Sequence, residues 1–184
     1  AVIGHSYGGY GAQAVGGARL DFSTMEAECG GATNAGESIL FLCDALLANL
    51  SSMKDLAEPG GGAIETWPDW TDARVDAVVT MAGDAAMFGP AGLAALDLPV
   101  LAIGGTADQD SPHEWGTRYT FEHAASTRKL ELTLEGEGHM VFLGRCAQAR
   151  RVLKLLALGI CSSAEGLEAA HAAEIGRASC RERV

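Results

Sequence analysis

The chain has 184 residues, of which 48% are hydrophobic and 20% charged, and its formal net charge is −11. That balance suits one packed globular domain, or part of one, and excludes a disordered chain. The acidity argues against nucleic acid or an anionic membrane as partner, since both select basic surfaces, and the apolar runs 98–103 and 155–160 fall well short of a membrane span.

Ala1 to Gly4 reads as the end of a β-strand, and Tyr7 to Leu20 as a helix rich in glycine and alanine. Between them lies Gly4-His5-Ser6-Tyr7-Gly8, followed by Gly9. With 24 glycines in the chain the five-residue pattern is weak alone, and its context decides. A tight turn from strand into helix is the setting that holds a serine nucleophile in a strained backbone conformation. Gly4 and Gly8 are then expected to remove clashes two positions to either side. The amides at the helix N-terminus face the place where negative charge develops on a carbonyl under attack. The plainer reading of Ser6 is a helix N-cap.

Residues 21–74 carry no clear strand. From Glu37 to Leu56 apolar residues recur at helical spacing (Ile39, Leu40, Leu42, Leu46, Leu47, Leu50), and the turn-rich Glu58-Pro59-Gly60-Gly61-Gly62 follows. A helical, lid-like insertion over the sheet edge or the active site is expected here, closed by Trp67 and Trp70. Cys29 and Cys43 lie fourteen residues apart, Cys146 and Cys161 fifteen, and Cys180 stands near the end. No C-x-x-C pair or H-E-x-x-H helix occurs, so no zinc site is expected. The two spaced pairs read either as local disulfides, which would favour a secreted or periplasmic protein, or as buried free thiols.

The chain then becomes regular. Asp76 to Met81, Leu98 to Gly104 and Lys129 to Leu134 read as strands, Ser111 to Ala125 and Ala147 to Leu158 as helices. Alternation of this kind implies an α/β fold, a mostly parallel sheet with helices on both faces. Ala164 to Ala173 begins another helix. From Glu174 to Val184 the character changes, with three arginines and an extra cysteine, and this segment reads as a non-native tail outside the 1–173 domain.

A serine hydroxyl becomes a nucleophile only beside a histidine base, whose tautomer an acid must fix. The order serine, acid, histidine, each at a strand end, is present. Asp108 follows the second regular strand in Gly105-Thr106-Ala107-Asp108, and His139 follows the third in Gly136-Glu137-Gly138-His139. Asp84 and Asp110 compete for the acid role, their plainer readings being a loop carboxyl and a helix cap. His5 is expected to support the turn, and His113, His123 and His171 to lie on the surface. The backbone N–H of Tyr7 is the expected oxyanion donor. Trp70, Met87, Phe88 and Trp115 line an acyl pocket or simply pack the core.

The segments GHSYGG, GGTADQDSP and EGEGHMVF resemble those of the α/β-hydrolase superfamily, and more narrowly its dienelactone-hydrolase-like and platelet-activating-factor-acetylhydrolase-like esterases. The likeness covers roughly residues 1–173. It implies Ser6 as nucleophile, Asp108 as orienting acid and His139 as base, acting on a small-molecule ester with no metal or organic cofactor. Dienelactone hydrolases proper carry a cysteine nucleophile, so the serine points to general ester hydrolysis. It further implies that the N-terminal strands, and the loop carrying a second oxyanion donor, lie outside this sequence, which would leave the sheet edge before Ala1 bare. A peptidase or thioesterase with the same residues, and a non-catalytic hydrolase-like domain, are the rival expectations.

Overall fold

The computed structural model describes residues 1–31, 37–59, 64–142 and 178–183. Four short strands, β1 (Val2–His5), β2 (Val78–Met81), β3 (Val100–Gly105) and β4 (Lys129–Leu134), pair in parallel in that order. β5 (Ala178–Arg183) adds to β4 in the antiparallel sense. The segment set apart by its composition thus supplies an edge strand. The expected helix over 147–158, the pair Cys146 and Cys161, and His171 lie outside the described residues.

The register aligns Val2 with Val78 and Val100, and Thr80 with Ala102 and Glu131, in rows on one face of the sheet. Helices α1 (Tyr7–Val15) and α5 (Thr117–His123) cover that face side by side, joined where Thr120 Oγ1 donates to Gln13 Oε1 at 2.9 Å. The expected two-sided layering is seen for this face among the described residues; Ile3, on the opposite row, is 64% exposed. α1 stops at Val15, short of the expected Leu20. Gly17 takes φ +123°, a conformation that ends a helix. α5 begins only at Thr117, so the residues from Ser111 onward form turns before it.

The insertion is helical as its apolar spacing predicts, and consists of α2 (Phe22–Gly31) and α3 (Glu37–Ala57). α2 packs against a 3-10 turn, Ala86–Phe88, which follows β2 and leads into α4 (Gly89–Leu93). Phe22, Met25, Ile39, Met87, Phe88 and Leu93 are all but inaccessible and join one core with Val78 and Val100. Each such side chain stabilises by roughly 2 kcal/mol on burial. The core therefore runs from the sheet to the helices above its strand ends. Cys29 and Cys43 form a disulfide between α2 and α3, with Cα atoms 5.1 Å apart. Among the described residues no helix is long and apolar enough to cross a membrane.

Candidate active site

Ser6 stands between β1 and α1 with φ 58° and ψ −126°, a strained conformation for a residue with a side chain. It does not cap the helix, since its side chain makes no capping bond. Instead its N–H donates to Met81 O at 2.9 Å, which pins the turn to the end of β2. A Cβ on Gly4 would strike the Gly8 carbonyl, and one on Gly9 would press on Thr80 and Gly83. A Cβ on Gly8 meets nothing within 4 Å. The close approaches are thus at Gly4 and Gly9, and the expectation for Gly8 is corrected. Tyr7 opens α1, so its N–H has no acceptor within the helix and points at the helix's N-terminal end.

The loops after β3 and β4 are stitched together by backbone. Ala107 N–H donates to Glu137 O at 3.0 Å, Thr106 N–H to Leu134 O at 3.1 Å, and Gly136 N–H to Thr106 Oγ1 at 2.8 Å. Gly105 lies so close to the Glu137 carbonyl that a side chain would not fit. This stitching brings Asp108 to His139. His139 Nδ1–H donates to Asp108 Oδ2 at 2.8 Å, and His139 Nε2 lies 2.8 Å from Ser6 Oγ, placed to accept its hydroxyl proton. Asp108 Oδ1 accepts the N–H groups of Asp110 and Ser111 at 2.9 and 2.8 Å, which fixes the carboxyl in plane. Behind His139, His5 Nε2–H donates to the His139 carbonyl at 2.8 Å. The expectation for His5 is support of the turn at Ser6; its bond instead reaches from that turn to the loop after β4.

Ser6 and His139 open on a cavity of about 760 Å³. α3 walls it with Ile39, Leu42 and Leu46, opposite Tyr10 of α1 and Met87 of the 3-10 turn. Of the four candidate pocket residues only Met87 lines it. Phe88 is fully buried and stacks on Tyr10, with ring centroids 4.6 Å apart. Trp115 packs against the core, and Trp70 sits at the surface against Trp67. Large apolar residues near the strand ends were recognisable, but which side of the core each would take depends on the helix that faces it.

Asp84 also lines the cavity, but Asp108 and not Asp84 pairs with the His139 Nδ1. Its Oδ1 accepts the Ala86 N–H at 3.3 Å, while Oδ2 is closed off from solvent without a hydrogen-bond partner. Burial, aided by the charge of Glu28 and opposed by the Ala86 and Ala85 amides, raises its pKa to about 6. Burial and the charge of Asp84 push the Tyr10 hydroxyl well above the ordinary phenol value.

Beneath the site, Gln13 is wholly buried and ties three elements together. Its Nε2 donates to Thr80 Oγ1 and to the Asp84 carbonyl, and its Oε1 accepts from Thr120. A glutamine in a helix of small residues gave no sign of this in the sequence. His113 is not on the surface. It lies in the turn before α5 and reaches under the sheet, Nε2 3.1 Å from Glu131 Oε1, beside Arg118 at 3.2 Å. His123 is partly exposed.

Asp108, Asp110 and His139 place one donor atom each within 4.8 Å of one another. Both ring nitrogens of His139 already serve Asp108 and Ser6, so a cation there would have to displace a hydrogen bond. The arrangement is suited to moving a proton from Ser6 Oγ to His139 while Asp108 holds the ring. No protein-family model matches the chain, and no curated protein matches it.

Proposed function

We propose that this chain belongs to the α/β-hydrolases and acts as a serine esterase that cleaves small-molecule carboxylic esters. The observation that carries this reading is the continuous contact Ser6 Oγ, His139 Nε2, His139 Nδ1, Asp108 Oδ2, set at a strained strand-to-helix turn and opening on the cavity. Ser6 Oγ attacks the ester carbonyl carbon as its proton passes to His139 Nε2, and Asp108 stabilises the imidazolium. The Tyr7 N–H, with the N-terminal end of α1 behind it, takes the oxyanion. His139 returns the proton to the leaving alcohol, then draws one from water, which releases the acid and restores Ser6. Ser6, His139, Asp108 and water handle every bond and proton of this cycle, so the reading calls for no metal or organic cofactor.

A fluorophosphonate, which phosphonylates activated serines, tests it. The expected result is stoichiometric labelling at Ser6 that disappears in Ser6→Ala. Labelling that survives the substitution overturns the assignment. Turnover of an ester, a thioester and an amide of one acyl group then separates esterase from thioesterase and peptidase, since leaving-group choice rests on pocket shape and not on the three residues.

A further inference from the structure

The cavity wall holds polar side chains that the cycle above does not use, Tyr10, Asp84, Asp110 and Ser111 among them, and Asp84 is the lining carboxyl with a closed-off oxygen that has no hydrogen-bond partner. Asp84 stands at the end of β2, partly exposed at the cavity, with Oδ2 closed off and unpartnered. Orphaned buried carboxyl oxygens are costly, and a native one calls for a reason. No lysine or arginine is found among the described lining residues. The two histidines there are committed, His139 to Ser6 and Asp108, and His5 to the His139 carbonyl. The same cavity is lined by the apolar and aromatic side chains of Tyr10, Met87, Leu42 and Leu46, along with Asp110 and Ser111. An acid on an apolar and aromatic wall is the chemistry that selects a compact organic cation, through charge and through the faces of aromatic rings.

We propose that Asp84 is a specificity-determining residue, and that the preferred substrate is an ester bearing a quaternary or protonated amine, whose positive nitrogen pairs with the Asp84 carboxylate. The proposal rests on the hydrolase reading and deepens it. The final torsion of an aspartate is broad, so the carboxylate can turn to meet a cation at the expense of the long Ala86 N–H bond to Oδ1. With its pKa at about 6, Asp84 is ionised at pH 8. Glu28 on α2 adds a second negative charge nearby, and the whole chain, at −11, favours approach of a cation. A cavity of about 760 Å³ has room for an ammonium group together with an acyl chain.

The test uses two pairs of isosteric esters, a trimethylammonium group against its neutral tert-butyl counterpart, placed on the alcohol side in one pair and on the acyl side in the other. In one pair at pH 8, kcat/KM is expected to favour the cation by roughly ten- to hundredfold. Asp84→Asn brings that ratio close to one, whereas Glu122→Gln, an equal change of charge at an exposed site on α5, leaves it in place. No preference in either pair, or a preference that survives Asp84→Asn, overturns the proposal.

A second measurement needs no variant: the wild-type ratio falls as pH drops through about 6. Tyr10 and Glu28 face Asp84 from α1 and α2, and Asp110, His5 and His139 share the cavity. A group that acts on the chemistry common to both esters cancels in the ratio. If neither ester is turned over and fluorophosphonate does not label, the hydrolase reading fails. Binding of tetramethylammonium by calorimetry still decides on Asp84: binding weakened by Asp84→Asn supports it, and no binding to the wild type overturns it.

Discussion

Two regions meet at the cavity and are held by different means. At the strand ends, Ser6, Asp108 and His139 hang on loops fixed by backbone hydrogen bonds, from Ser6 to Met81, Ala107 to Glu137 and Thr106 to Leu134. Across the cavity, α2 and α3 are held mainly by apolar packing and one disulfide, with backbone bonds at the start of α2 from Asp21 to Met87 and from Phe22 to Glu65. Backbone bonds are directional and tolerate little displacement, as attack geometry requires. Apolar packing fixes volume and leaves the identity of each contact open, which suits a wall that selects by shape. The strand ends are therefore expected to govern kcat, and the helical wall to govern KM.

The sharpest way to break that division is Asp108→Asn. It keeps the shape but offers His139 the wrong partner, so kcat is expected to fall about 10⁴-fold, or about 5 kcal/mol in barrier, with KM little changed. Fluorophosphonate labelling of Ser6 should slow and not vanish. A loss under about tenfold would move the acid role away from the loop after β3 and undo the claim that the stitched loops carry the chemistry.

That the strand-end region could be read from residue order has a physical cause. Turn chemistry is local: Gly4-His5-Ser6, Asp108 after β3 and His139 after β4 stand where a strand stops, and parallel strands bring their ends to one edge. The same holds for β2, β3 and β4, whose apolar runs mark them within two residues. Contacts between distant elements were not legible. In β4 the polar Glu131 and Thr133 are buried while Leu130 and Leu132 are only half-buried, because His113 reaches both polar residues and Arg118 reaches Glu131. The stripe Ile39, Leu42, Leu46 was visible as a helix face, but its role as cavity wall depends on where α3 docks. Composition alone set residues 174–184 apart, and pairing of Ala178–Arg183 with β4 is a sheet property that composition does not carry.

Opening the disulfide tests the other side of the division. Cys29→Ser with Cys43→Ser frees a loop of fourteen residues, which should cost about 3 kcal/mol of stability. Cys29 Sγ touches Met87 Sδ at 3.9 Å, and Ile39, four residues before Cys43, lines the cavity. Loosening this tie is expected to raise KM several-fold and to change kcat by less than about threefold. Parallel melts and ester kinetics on the double variant check both numbers. A fall in kcat approaching that of Asp108→Asn would mean that wall and strand ends act as one unit.

The smallest expected effect comes from the place where the regions touch, at Asp84, which belongs to the end of β2 but feels Glu28 of α2. Its folded pKa, about 6, lies above the ordinary 3.8, so the folded state holds the proton more tightly than the unfolded chain. Its contribution to stability is fully present below about pH 4 and is lost as pH rises through 6. The full shift corresponds to about 3 kcal/mol, and the partial exposure of Asp84 brings the expectation nearer to 1–2 kcal/mol. Asp84→Asn should therefore melt higher than the wild type at pH 8, with the gap closing towards pH 4. A gap that does not vary with pH would mean that the carboxylate is well solvated, and that α2 does not close over the end of β2. A gap that varies as expected makes Asp84 a destabilising group at neutral pH, on the side of the cavity where a cation would relieve it.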